Sequence, residues 1–283
     1  MYKKILFPIL ALALSTLACS FNITLPTVQP VGPTQVDDIA LPIPAVDGIV
    51  QLTLSFGAGT LLLHPGTDSL VAGTASYNVE DFKPVVTMEG LTASIVQGDW
   101  NVKGIPSVSD IKNEWDLSLG LVPMDLAIEA GAYKGEFELG GLAIENLTIS
   151  DGASDVEVTF SEPNITEMTL LKYTTGASNV KLIGLANADF SAMEFDSGAG
   201  NYTLDFSGTL RRDASVSIET GVSNMTFVIP TGIPVQITVD GGLSNVTFGS
   251  GWEKDGNVYI QEGSGPQLTI MIEIGAGNLV LTR

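Results

Sequence analysis

The sequence predicts an all-β fold: a β-solenoid-like stack of strand–turn–strand repeats about 22 residues long, preceded by a small β module. Three observations predict it. A five-residue phrase, Gly176-Ala177-Ser178-Asn179-Val180, recurs to the end of the chain. Apolar residues on both sides of each copy alternate with a period of two. No long stretch carries a 3.6-residue period or helix caps.

Copies of the phrase open at Gly152, Gly198, Gly221, Gly242 and Gly275, with looser ones at Gly57 and Gly131. Three residues before these glycines stand Leu54, Ile128, Ile149, Tyr173, Phe195, Ile218, Val239 and Ile272. Six residues after them stand Leu63, Phe137, Val158, Leu182, Leu204, Phe227, Phe248 and Leu281. All are apolar. Spacing by two is strand alternation, so each repeat reads as two strands around a turn with one face aimed inward.

Glycine accepts positive φ without penalty, and the small residue after it allows close approach. Gly131, Gly152, Gly176, Gly198, Gly221, Gly242 and Gly275 are therefore expected as structural turn residues. Asn179, Asn201, Asn224, Asn245 and Asn278 share one register and suit a corner. If the coils stack in register, their amides can also form a ladder. The glycines from Gly131 step by 21, 24, 22, 23, 21 and then 33 residues. One such unit buries too little to offset its ordering entropy, so the coils must stack.

Lys3-Lys4, the apolar run Ile5 to Leu14, and Leu17-Ala18-Cys19 read as an export segment. Its form resembles a bacterial lipoprotein signal, with cleavage before Cys19 and lipid on the thiol. The expected organisation is 1–18 signal peptide, 19–45 proline-rich tether, 46–125 N-terminal β module and 126–283 repeat domain. Membrane contact is expected through the N-terminal lipid alone, at the outer face of a bacterial membrane or cell surface.

The chain carries 12 Lys and Arg against 32 Asp and Glu, a net charge of −20. Such a surface repels nucleic acid and anionic headgroups, which argues against both as partners. The acidic surface also keeps a β-rich protein soluble and blunts strand edges.

The 33-residue step holds Trp252-Glu253-Lys254-Asp255-Gly256-Asn257-Val258-Tyr259, an Asp-Gly pair between strand formers. That pattern predicts a hairpin. Trp252 and Tyr259 read either as a cap over the open end of the stack or as contacts for a partner.

Catalytic sets are sparse. One histidine (His64) and one cysteine (Cys19) cannot build a zinc site or a His-based nucleophile system. Carboxylate pairs alone could serve glycoside hydrolysis, with Glu114, Asp116, Asp125 and Glu129 as the residues to watch. The expectation is no enzyme, no cofactor and no metal, with calcium on the acidic surface a minor idea.

Trp115-Asp116-Leu117-Ser118-Leu119, Pro123-Met124-Asp125-Leu126-Ala127-Ile128 and Gly131-Ala132 resemble the toast-rack family of bacterial exported proteins. So do Leu139-Gly140-Gly141-Leu142, Leu147-Thr148-Ile149, Gly152-Ala153, Gly184-Leu185-Ala186-Asn187-Ala188 and Asp205-Phe206-Ser207-Gly208. That family is similar to β-solenoid adhesins and to the C-terminal domain of LiaF-type envelope stress proteins. The resemblance implies a fold and an envelope location, and transfers no catalytic residue. Two functions follow as expectations: a surface-displayed adhesion or scaffolding module binding an envelope protein or glycan, or a sensory domain of an envelope stress system.

Overall fold

The structure is a computed structural model that describes residues 31–98 and 111–283. Alternation runs straight through each glycine phrase, so one strand holds both halves of a repeat. These long strands are β2 (Val50–Thr67), β7 (Met124–Glu138), β8 (Ile144–Thr159), β9 (Met168–Ile183), β10 (Phe190–Asp205), β11 (Ala214–Val228), β12 (Val235–Phe248) and β15 (Leu268–Thr282). The turn expected at each phrase is a corner inside a continuous strand. In β11 the corner is visible in the burial order: Thr220 is inward, Gly221 and Val222 are both outward, and Ser223 is inward again. Alternation thus skips one beat, and the two limbs on either side aim their buried residues at the same core.

Neighbouring strands pair in parallel along both limbs. Met193 of β10 stands opposite Val216 of β11 on the first limb, and Tyr202 opposite Met225 on the second. The rows counted in the sequence are therefore rows in space. With the exception of Phe248, they fill one core cluster that runs the length of the stack, from Leu52, Leu54 and Leu63 to Ile270, Ile272 and Leu281.

The reason for glycine differs from the sequence expectation. None of Gly131, Gly152, Gly176, Gly198, Gly221, Gly242 and Gly275 has a positive φ. What excludes a side chain is the strand next door. A Cβ on Gly176 would stand 2.4 Å from the carbonyl oxygen of Gly152, and one on Gly198 2.6 Å from that of Gly176. The same holds for Gly131 over Gly57 at 2.4 Å and Gly221 over Gly198 at 2.5 Å. At these four corners each glycine carbonyl lies over the next glycine, a close approach of backbones that only a bare Cα permits, whereas a Cβ on Gly242 would stand 3.4 Å from the Gly275 oxygen.

Stacking follows chain order with one exception. The long strands run β2-β7-β8-β9-β10-β11-β15-β12, so the C-terminal strand lies between β11 and β12. Ile270 of β15 stands opposite Val216 on one side and Ile237 on the other. The long final step makes this reach available. It contains a hairpin of β13 (Glu253–Asp255) and β14 (Val258–Gln261), as the Asp-Gly pair predicts. β14 then pairs antiparallel with Val235–Thr238 on the outer side of β12. With that side taken, β15 occupies the inner side and gains a partner on both edges.

The other end of the stack divides between the limbs. The first limb of β2 pairs with β5 (Thr92–Gln97), which carries β4 (Pro84–Glu89) outside it. The second limb pairs with β6 (Asn113–Gly120), followed by β3 (Val71–Tyr77) and β1 (Gln35–Leu41), both antiparallel. Among the described residues all 15 strands belong to one sheet. Aromatic rings fill the core here: Phe56 meets Trp115 edge-on at 5.0 Å, a geometry worth more than its area alone.

Connections between the limbs are held by polar groups inside them. Asn164 is fully buried and its side chain accepts from the Ile144 N–H while donating to the Ile144 and Thr166 carbonyls. Asp189, at φ +59°, takes both prongs of the Arg212 guanidinium at 3.0 Å.

Candidate functional site

The corner gives the molecule its two polar features, one on each side of the sheet. Inside, the rows just before and two after the glycine carry small polar residues where the rest of the core is apolar. Asp151 stands in the first of these rows and is buried. Its carboxylate accepts from Tyr173 OH at 2.8 Å, from Tyr133 OH at 3.4 Å and from the Thr175 hydroxyl. Ser178 hydrogen-bonds Thr175 at 2.6 Å, and its oxygen accepts from Ser154 Oγ at 2.9 Å and Ser154 N at 3.0 Å. A buried charge needs such donors, and here they come from the two strands that flank β8. The seam thus ties β7, β8 and β9 together at the corner. The sequence signal was one acidic residue in an inward row otherwise filled by residues such as Phe56, Ala130, Thr175 and Ile274.

Burial pushes the phenols of this region up. Tyr133 and Tyr173 are raised chiefly by desolvation, with the nearby Asp151 carboxylate adding to it. Tyr77, beside Asp37, is pushed up to about 12 by desolvation first. A raised folded-state value favours the protonated form, so this stabilisation is complete below the unfolded value of about 10 and is lost as pH rises toward the folded values. A phenolate absorbance titration should show Tyr77 ionising only near pH ~12, and Tyr133 and Tyr173 ionising well above the range of a free phenol, as the fold opens. Ionisation of Tyr77, Tyr133 and Tyr173 near pH ~10 in folded protein would contradict it.

Outside, the glycine row leaves a strip of bare backbone, and this is the floor of a groove along the stack. Asp196, Glu219, Glu273 and Asp240 line one wall at one register on four adjacent strands. A second stretch of groove at the other end is lined by Ser55, Gly57, Gln97, Glu129 and Gly131. Lys172 bonds Glu194 at 2.6 Å and sits 3.7 Å from Asp196, at one end of the acidic row. Exposed carboxylates at strand spacing of about 4.8 Å repel one another, weakened by solvent screening.

Beyond the groove, the asparagine ladder forms. Asn201 donates to Asn179 at 2.9 Å, Asn224 to Asn201 at 3.2 Å and Asn278 to Asn224 at 2.8 Å. Asn278 enters this ladder next to Asn224 because β15 lies there. Replacing Asn201 by alanine removes two of these exposed bonds and should cost about 1 kcal/mol in urea unfolding. A cost as large as that of a core truncation would contradict so modest a role.

The four carboxylates flagged for glycoside chemistry do not converge. Glu114 and Asp116 lie on β6, against the second limb of β2, whereas Asp125 and Glu129 lie on β7 against its first limb. Asp125 accepts from Gln51 at 2.9 Å and Asn146 at 2.7 Å, and Asp116 faces His64 at 3.5 Å. Among the described residues no group of three or more His, Cys, Asp and Glu is arranged to hold a metal ion. Cys19 lies outside the described residues.

Trp252 and Tyr259 are turned inward, at 8% and 3% exposure, so the partner-contact reading of these rings gives way to the cap. Tyr259 meets Phe248 edge-on at 5.3 Å, and Lys254 lies 5.2 Å over its ring. The hairpin's outer side is left to Glu253, Lys254 and Asp255.

With this geometry in hand, comparison with known proteins gives a family. The model described as the N-terminal domain of toast_rack, DUF2154, matches residues 32–170 and 164–228. The chain belongs to the toast-rack family. This toast-rack chain is similar to a solved "putative cell adhesion protein" from Clostridium sporogenes at 20% identity and a TM-score of 0.49, covering 88% of this chain and 99% of that one. It is similar to a "putative adhesin" from Bacteroides fragilis at 11% identity and TM-score 0.36, over 90% of this chain and 99% of that one. A further "putative adhesin", from Parabacteroides merdae, matches at 10% identity and TM-score 0.37, over 89% and 97% of the two chains. Comparison with curated proteins finds no match.

Proposed function

We propose that this toast-rack protein is exported, lipid-anchored and non-catalytic, and serves in adhesion or scaffolding at the cell envelope. The observation that supports the reading is the form of the outer surface. Its groups recur in straight rows, the acidic row and the asparagine ladder among them, at one step per strand. Catalysis needs groups converging within about 3 Å of a reacting atom. Rows instead suit an extended partner that meets the same groups at each step, such as a glycan or an elongated envelope protein.

The negative surface directs membrane contact to a lipid on Cys19, since the body would repel anionic headgroups. Replacing Cys19 by alanine should move the protein from the membrane fraction to the soluble one, with loss of the lipid mass. Unchanged membrane association would contradict anchoring. For the recognition role, the mature chain should be retained by at least one of isolated cell-wall material, glycans or sibling proteins. A clean negative across all three would sink it.

A further inference from the structure

Four segments of the described chain lie at an edge of the sheet: β1, β4, β13 and the second limb of β12, Gly242–Phe248. Exposed edges are templates for strand addition, and proteins blunt them with charge or proline. Three of these edges are blunted. β1 carries Asp37 and Asp38, β4 begins at Pro84 and ends at Glu89, and β13 is Glu253-Lys254-Asp255. The stretch from Gly241 to Trp252 holds no charged residue and no proline. In a chain with 32 acidic residues, the least protected edge is also neutral.

The core is open at the same place. Phe248 is 36% exposed, whereas Leu182, Leu204, Phe227 and Leu281 at its register on the other strands are 2% or less. Val246 is half-buried where Met225 and Leu279 are fully covered. Among the described residues, β14 covers the first limb of β12 alone, and no strand pairs with the outer side of the second.

The hairpin decides what kind of occupant fits. β14 and β13 extend the first-limb layer two strands, or about 10 Å, past β12. They overhang the space beside Gly242–Phe248, and Tyr259 reaches Phe248 from that layer. A second copy would bring its own overhang into the same space. A single extended strand has no such obstacle.

We propose that Gly242–Phe248 is a strand-acceptor edge, completed by an uncharged extended segment of a partner protein with apolar side chains at alternate positions. Its backbone would continue the ladder of β12, and its apolar row would cover Val246 and Phe248. The inference narrows the partner of the scaffolding role proposed above. It is tested on soluble mature protein, so its failure would leave anchoring and wall binding untouched.

The probe is a labelled synthetic peptide with the sequence Gly221–Val228, a limb of the same register from this chain. Mixed with the mature chain, it should bind saturably by fluorescence anisotropy and slow amide exchange at Asn245–Phe248 about tenfold or more. Val246→Lys puts a charge in the row to be covered and should weaken binding at least about tenfold, whereas the outward Thr247→Lys should not. A peptide with aspartate in place of Met225 and Phe227 should fail to bind, which keeps the test valid if Val246→Lys does not fold. Absence of saturable binding and of exchange protection would overturn the proposal, as would undiminished binding by folded Val246→Lys. Sedimentation showing a dimer of the mature chain, abolished by Val246→Lys, would overturn the lone-strand occupant in favour of a second copy.

Discussion

Alanine in place of Gly176 should destabilise the protein by about 3 kcal/mol, the upper range for overpacking a tight interior. The new Cβ would stand 2.4 Å from the Gly152 carbonyl oxygen, with the carbonyl carbon 3.4 Å away. That obstacle is backbone, so no rotamer change relieves it. β8 and β9 must part at the corner, which lengthens ladder hydrogen bonds on both limbs and loosens the packing beneath. Gly242 provides the control, because its Cβ would meet only the Gly275 oxygen at 3.4 Å, ordinary van der Waals contact. Gly242→Ala should stay within about 0.5 kcal/mol of the parent, or gain slightly from a less flexible unfolded chain. Gly152→Ala, at 3.1 Å, belongs between them. Urea unfolding of the three variants reads the gradient directly. Equal effects would mean that glycine serves the local backbone rather than the neighbouring strand.

Arg212→Ala should also cost about 3 kcal/mol. The Asp189 side chain is 3% exposed and depends on the Arg212 fork for both oxygens, with Arg211 a weaker second partner at 3.5 Å. Arg212 further holds Glu167 at 2.7 Å, and the Asp189 carbonyl accepts the Met168 N–H at 3.1 Å. Removing the guanidinium strands a buried carboxylate between the connections that join β8 to β9 and β10 to β11. Breaking one half of such a pair is costly because of the charge left behind. Arg212→Lys should recover only part of the loss, since an ammonium cannot bond both oxygens in the fork geometry. Adding Asp189→Ala to Arg212→Ala should restore some stability by removing the stranded charge. Strictly additive losses would contradict the pairing.

Much of this architecture was legible in the sequence because strand alternation and register are both local. Leu54, Ile128 and Ile149 could be placed in one inward row by counting from a glycine, and the structure puts them there. The ladder through Asn179, Asn201, Asn224 and Asn278 followed from the same count. The place of β15 did not. Asn245 and Asn278 carry the same phrase, so either could neighbour Asn224, and chain order is a poor guide when one connection contains a hairpin. The role of glycine was also ambiguous, since positive φ and close approach call for the same residue. Trp252 and Tyr259 signalled large apolar area without saying which side of the hairpin would carry it. Asp151 was missed because its partners, Tyr133, Tyr173 and Thr175, come together only when three strands are stacked. The unblunted limb of β12 could be seen only after the other three edges were known.

The position of the last strand is the claim on which rows, ladder and open edge all depend. Paired cysteines test it most directly, in a background with Cys19 replaced by alanine. In-register neighbours in a sheet lie about 4.8 Å apart, within disulfide reach, whereas positions two strands apart lie near 9.6 Å, beyond it. Oxidation should therefore join Asn224→Cys to Asn278→Cys rapidly and leave the Asn224→Cys, Asn245→Cys pair reduced. Ready closure of the 224–245 pair, with 224–278 left open, would mean that the coils stack in chain order and would contradict the fold described.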